Sequence, residues 1–298
     1  MSARFERVAI IGVGLIGGSF ALALKAAGAS GSVVGVGRSP ENLARARALG
    51  VIDETAADAA VAARGADLVL LATPVAQTPE VLAALATALA PHTLVTDAGS
   101  TKRDAVAAAR AALGARAAQF VPGHPIAGAE ASGAQAARAD LFRGKRVILT
   151  PLEENAPESV ARIEAAWQAC GAQVSRFTPE MHDAVFAAVS HLPHLLAYAL
   201  VHAFGARADR DRLFENAGAG FRDFTRIASS NPEMWRDICM ANRDLLQAEC
   251  LRYQAALDAL RALLERGDGA GLEQAFSDAR DARDAWLRRA NRGAVKPR

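Results

Sequence analysis

Short apolar runs alternate with amphipathic stretches over the first 178 residues. The runs at Val8–Ile11, Val33–Val36, Leu68–Ala72, Leu94–Thr96, Gln119–Val121 and Arg146–Thr150 do not alternate polar with apolar positions, which predicts strands buried on both faces. Between them, Ser19–Ala27, Pro40–Leu49, Pro79–Leu89 and Arg103–Leu113 read as helices. The alternation predicts an α/β domain, a parallel sheet covered on both faces, with Ala172–Phe177 as its last strand. After Thr178-Pro179 strand signals stop. Ile238, Leu245, Leu246, Leu257, Leu260 and Leu264 then recur at helical intervals, predicting one long helix in an all-α second domain. A helix longer than a small domain needs predicts packing against a second subunit. The basic tail from Arg288 contains Gly and Pro and is expected to fray.

The first strand runs into VAIIGVGLIGG. Gly12, Gly14 and Gly17 have the G-x-G-x-x-G spacing of a Rossmann-type dinucleotide site, with Leu15 and Ile16 between the second and third glycines. The first glycine permits a tight turn, the second lets a pyrophosphate reach the backbone, and the third lets helix and strand pack closely. The strand before it and the helix after it make this more than a lone motif. The expected domains are therefore 1–178 for the dinucleotide and 179–298 for substrate binding and dimerisation.

The second strand ends in Gly37-Arg38-Ser39, where an NAD-binding chain would place Asp or Glu on the ribose. Arg38 and Ser39 could instead meet a 2′-phosphate, so NADP is the preferred cofactor, with NAD also possible. Ser39-Pro40-Glu41 is equally a helix N-cap. The loops ATPV, with Thr73 and Pro74, and TDAGSTK, with Ser100, follow strands and should face the cofactor cleft. Ser100 also reads as the N-cap of the helix that follows.

Composition narrows the class without naming it. A net charge of +2 gives no reason to expect nucleic acid or a membrane surface as partner. Cys170, Cys239 and Cys250 lack metal-ligand spacing and read as reduced thiols. The N-terminus lacks signal-peptide architecture, and no run approaches the ~18 consecutive apolar residues of a membrane span. A soluble, cytoplasmic protein is expected.

The chemistry-bearing residues lie in VPGHPIAGAEASG and in two later stretches. His124 sits between Gly123 and Pro125, which disfavour a helix or central strand and predict a rigid turn. SHLPHLLAYAL carries His191 and His194. Their spacing could suggest a metal, but Pro193 and a missing third ligand argue for none. GFRDFTRIASSNPEMW carries Asp223, Arg226 and Trp235.

GxGLIGGS, DAGSTK, GHPIAGAE, SHLPH and GFRDFTRIASSNPEMW occur in this order, and together they closely resemble the prephenate/arogenate dehydrogenase family. The resemblance spans nearly the whole chain. It implies oxidative decarboxylation in tyrosine biosynthesis: a hydride passes from a cyclohexadiene's hydroxyl-bearing carbon to NAD(P), and carbon dioxide leaves as the ring becomes aromatic. It also implies roles. His124 corresponds to the catalytic histidine that takes the hydroxyl proton, a task suited to an imidazole near neutral pH. Ser100 corresponds to the serine that bonds the hydroxyl and orients that histidine. Arg226 corresponds to the arginine that grips the ring carboxylate, with Asp223 expected to hold it in place. His194 corresponds to a histidine near the substrate side chain, and Trp235 and Glu130 to pocket positions. Where relatives often read HPIAGTE, this chain has Ala129, which puts side-chain or cofactor preference in question. The chain ends after its helical domain, so inhibition by tyrosine would be expected to act at the active site.

Two rivals are weaker. β-Hydroxyacid dehydrogenases and imine reductases share the plan but commonly use a lysine on the helical domain, and residues 151–295 contain no lysine. A non-catalytic dinucleotide sensor would have no use for His124, Ser100 and Arg226 together.

Overall fold

The computed structural model describes residues 4–128 and 131–294. The chain begins β1 (Phe5–Ile11), α1 (Leu15–Ala26), β2 (Ser30–Val36), α2 (Pro40–Ala48), β3 (Glu54–Thr55) and α3 (Ala59–Ala63). It continues through β4 (Leu68–Leu71), α4 (Thr78–Leu85), β5 (Leu94–Asp97) and α5 (Arg103–Leu113). These strands form one parallel sheet in the order β3-β2-β1-β4-β5. Successive β1 side chains serve opposite faces. Val8 and Ile10 pack with Phe20, Leu24 and Trp167, whereas Ala9 and Ile11 pack with Leu82, Ala109 and Phe120. Two buried faces explain the apolar runs, as the sequence pattern predicts.

Next come β6 (Gly123–Pro125), β7 (Arg146–Leu149), α6 (Pro157–Ala169) and β8 (Gln173–Arg176). Here the structure corrects the expectation of one sheet. β6, β7 and β8 make a second sheet, β6 antiparallel to β7 and β7 parallel to β8. The expected strand at 119–121 reduces to one bridge, Val95 with Phe120. His124 therefore sits on a short strand rather than in a turn, paired opposite Ile148. Pro125 is tolerated because β6 lies at the sheet edge, where a missing N–H breaks no second ladder. The short β3 and α3, and all of α6, lie outside the expected elements.

The remaining elements are helical: α7 (Pro179–Phe186), α8 (Leu192–Gly205), α9 (Arg210–Glu215), α10 (Ala219–Thr225), α11 (Pro232–Ala241), α12 (Arg243–Glu265) and α13 (Gly269–Ala294). A π-helical segment, Ala187–His191, joins α7 to α8. The resulting 27-residue helix from Pro179 to Gly205, with mean hydropathy 1.6 over its most apolar window, is long and apolar enough to cross a membrane. A test based on consecutive apolar residues misses it because histidines and Ser190 interrupt the run. The single long helix expected at the end is broken at Asn242 and again at Gly267, and the expected frayed tail is helical to Ala294. The chain forms two compact units, one running to Leu245 and the other from Leu246. Every site residue described below lies in the first.

Candidate active site

The three fingerprint glycines have different neighbours. Gly12 has φ +101°, and a Cβ there would lie 2.5 Å from the Ala72 carbonyl oxygen. A Cβ on Gly17 would lie 2.2 Å from the Gly12 oxygen. At Gly14 a Cβ would meet nothing within 4 Å, so the turn opens onto free space there. Gly14 is also the N-cap of α1 and lends it no side-chain bond, leaving the helix's first N–H groups for a ligand. The buried Thr73 hydroxyl, in the loop after β4, makes no hydrogen bond among the described residues. An open cradle, an uncapped helix start and an orphan hydroxyl fit a dinucleotide pyrophosphate and its neighbouring ribose.

At the adenosine end, the structure revises the reading of Ser39. Its Oγ accepts from Asn42 N at 3.1 Å and donates to Glu41 Oε2 at 2.8 Å, which commits it to capping α2. The helix backbone and the Ser39 bond hold the Glu41 carboxyl below its ordinary range. Arg38 is exposed beside them.

The base is built from two halves of the chain. Asp97, at the carboxyl end of β5, accepts from Gly123 N at 2.9 Å and from Gly99 N at 2.9 Å. Lys102, wholly buried, pairs its ammonium with Asp97 and donates to the Gly123 carbonyl at 2.7 Å. These bonds fasten β6, and so His124, to the edge of the first sheet where ligands of such folds bind. Removing either member of the buried pair would strand a charge at a cost of about 3–5 kcal/mol.

Behind His124, Nδ1 lies 2.9 Å from His182 Nε2, and His182 Nδ1 lies 2.8 Å from Asp183 Oδ1. Asp183 also accepts the backbone N–H groups of Lys102 and Arg103, at 2.9 Å each, closing the first turn of α5. The expected N-cap role of Ser100 therefore does not hold. The cap position is Lys102, and the half-buried Ser100 is left on the loop after β5. Phe186 packs on both rings, 4.9 Å from His124 and 4.5 Å from His182.

Burial, then the neighbouring His182 and Lys102, push the His124 pKa well below its ordinary value, so the ring is neutral at neutral pH. Burial lowers that of His182 as well, against the pull of Asp183. Burial raises Asp183, but its bonds from His182, Arg103 and Lys102 outweigh this and leave the carboxyl ionised.

A second polar cluster adjoins the first. The Asn242 amide donates to the Asp183 carbonyl at 2.8 Å and lies 3.2 Å from His191 Nδ1, while its oxygen accepts from Arg103 at 2.9 Å. Arg103 also grips Asp244 through both terminal nitrogens. With Nδ1 accepting, the proton of neutral His191 is on Nε2, which is buried without a partner among the described residues, as is Trp235 Nε1. Burial lowers the His191 pKa to about 4. His194 stacks on Trp235 with ring centres 3.5 Å apart, and its Nδ1 donates to the Ser190 carbonyl at 2.9 Å. Its pKa is lowered by burial and by Arg226, which brings those two residues into one cluster. Asp223 is exposed on α10, three residues before Arg226. Ala129 and Glu130 lie outside the described residues.

Residues 20–176 match the family described as "Prephenate dehydrogenase, nucleotide-binding domain" and residues 178–278 match "Prephenate dehydrogenase, dimerization domain". The chain belongs to the prephenate dehydrogenase family. It is 37% identical to a prephenate dehydrogenase of Bacillus subtilis, over 99% of this chain and 80% of that protein. It is 36% identical to a cyclohexadienyl dehydrogenase of Zymomonas mobilis, over 94% of this chain and 95% of the relative. Prephenate dehydrogenase from Aquifex aeolicus, solved in complex with hydroxyphenyl propionate and NAD+, superposes with a TM-score of 0.88 at 36% identity. The superposition covers 94% of this chain and 98% of that one.

Within this family member, the sequence motifs lead to His124 and to the Arg226–His194–Trp235 cluster. They miss Lys102, Arg103, His182, Asp183, His191 and Asn242 as parts of the site. His182-Asp183 interrupts the apolar run Met181 to Ala188 on its helix, the one sequence signal that could have singled out a dyad that the structure buries.

Proposed function

We propose that this chain oxidises and decarboxylates prephenate, arogenate or both, with hydride transfer to a nicotinamide dinucleotide. The observation that carries the reading is a neutral histidine fixed at the carboxyl edge of a dinucleotide-binding sheet by Asp97 and Lys102. The bound dinucleotide supplies the hydride acceptor. Residues 1–178 furnish its site and the base, and residues 179–245 furnish the groups that grip substrate.

His124 accepts the ring hydroxyl proton at Nε2 as the carbonyl forms, and Ser100 bonds that hydroxyl from the loop after β5. Arg226 takes the ring carboxylate in a two-pronged grip, and Trp235 and His194 bound the pocket, with Asp223 supporting Arg226 from α10. His194 offers a lone pair at Nε2, because Nδ1 is committed to Ser190. That suits the ammonium of arogenate better than the keto oxygen of prephenate. NADP is taken through Arg38, with NAD also accepted. The protein acts in the cytoplasm as a homodimer built on α12 and α13, where Leu251, Leu257, Leu264, Phe276 and Trp286 are exposed.

The test is a two-by-two assay of prephenate and arogenate with NAD and NADP, following nicotinamide reduction. Turnover with at least one pair is expected, and none with any pair would end the reading. His124→Asn should lower kcat by a factor of about 10²–10⁴ while dinucleotide binding survives.

A further inference from the structure

Resting on this reading of His124 as the base, we propose that His182 and Asp183 are positioning residues. They form a two-ring relay that decides which nitrogen of His124 can accept a proton. The assignment follows from counting donors. Asp183 Oδ1 receives the Lys102 N–H at 2.9 Å, and the ionised carboxylate can only accept, so the bond to His182 Nδ1 requires a proton on that nitrogen. His182 is neutral and wholly buried, so its Nε2 is left with a lone pair. The 2.9 Å contact to His124 Nδ1 then requires a proton on His124 Nδ1. His124 is neutral too, and its lone pair falls on Nε2. A carboxylate two residues removed in the bond chain thus makes Nε2 the basic atom.

The relay also has somewhere to put charge. When Nε2 takes up the hydroxyl proton, the Nδ1 proton can move along its hydrogen bond to His182 Nε2. His182 then becomes the imidazolium, facing Asp183 at 2.8 Å. One proton enters at Nε2 and one shifts between rings, so the charge ends beside a carboxylate instead of beside the substrate. Among the described residues, Lys102 and Asp97 beneath β6, Arg103 at the start of α5, and His191 on the π segment are the other charged or titratable groups around these rings.

Three substitutions separate this role from simple packing. In Asp183→Asn the amide must place its NH2 toward either Arg103 or His182. Toward Arg103 it opposes two donors, the backbone N–H and Nε. Toward His182 only the Lys102 N–H is fixed, because the ring can change tautomer to accept. The relay then reverses and the proton moves onto His124 Nε2. An Asp→Asn change that leaves geometry intact but imposes the wrong tautomer costs a serine protease about 10⁴ in kcat. His182→Gln keeps an oxygen that can accept from His124 Nδ1, so the tautomer is retained, whereas His182→Leu removes the acceptor.

The full-length protein is assayed for kcat, KM and dinucleotide affinity. Histidine nitrogen-15 NMR reads the His124 tautomer. We expect Asp183→Asn to lower kcat at least 100-fold with dinucleotide affinity unchanged, and the His124 proton to move from Nδ1 to Nε2. His182→Gln should stay within about tenfold of wild-type kcat and keep the wild-type tautomer, while His182→Leu falls well below it. The proposal is overturned if His182→Gln and His182→Leu lose activity equally, or if a folded Asp183→Asn keeps the wild-type tautomer. Should Asp183→Asn fail to fold, the pair at His182 decides. An inactive wild type would instead defeat the functional reading itself.

Discussion

At the scale of single residues, the serine beside Arg38 shows how one side chain can satisfy a motif and still be unavailable to it. Ser39 spends its donor on Glu41 and accepts from Asn42 N, so a 2′-phosphate would have to displace the first bond and approach a carboxylate. On the proposed NADP reading, Arg38 is the residue left to meet the phosphate. Arg38→Ala should therefore raise the NADP KM by about tenfold or more, consistent with loss of one charge-assisted contact, and change the NAD KM by less than threefold. Equal effects on both would show that Arg38 does not meet the phosphate. Ser39 was legible as a cap and ambiguous as a ligand, because sequence displays a hydroxyl but not the bonds it has already formed.

At the scale of elements, the β1–α1 turn separates two requirements that the G-x-G-x-x-G spacing runs together. Gly12 and Gly17 are demanded by the fold, since a Cβ at either would strike backbone oxygen, whereas a Cβ on Gly14 would meet nothing, so on the proposed reading the demand there comes from the ligand. Gly14→Val should leave the melting temperature within about 2 °C of wild type and abolish dinucleotide binding in a calorimetric titration. Gly12→Ala should lower Tm by several degrees, since backbone strain and a 2.5 Å contact both oppose it. If Gly14→Val bound dinucleotide normally, the cradle would lie elsewhere. Apart from α6 and the short β3 and α3, the strands of the first sheet and the helices that cover it were legible from apolar runs and helical spacing. β6 was not, because a three-residue edge strand containing Gly and Pro carries no periodicity and is defined by its pairing with β7. The breaks at Asn242 and Gly267 were hidden by apolar spacing that continues across them.

At the scale of the whole molecule, burial of neutral histidines ties stability to pH. An unfolded chain protonates His191 near its ordinary value of 6.5, but the folded chain only near 4. Between those values the unfolded state binds more protons. The contribution of His191 is therefore complete above about pH 6.5 and is lost as pH falls toward 4. His124, His182 and His194 shift in the same direction, each first through burial. Tm measured by differential scanning calorimetry should fall by about 4 °C or more from pH 7.5 to pH 5, and His191→Asn should reduce that drop. A flat Tm across this range would mean that the rings are hydrated. None of this was legible in advance, because the sequence gives histidine positions without their depth.

Asp183 serves the fold and the chemistry together. The same carboxylate closes the first turn of α5 and, through His182, sets the protonation of His124. Only a replacement that still accepts the Lys102 and Arg103 N–H groups, as Asn can, separates folding from protonation at this position. Any other change would expose a lineage to selection through folding yield and turnover at once, so relaxed demand on catalysis alone would not free the position to vary widely.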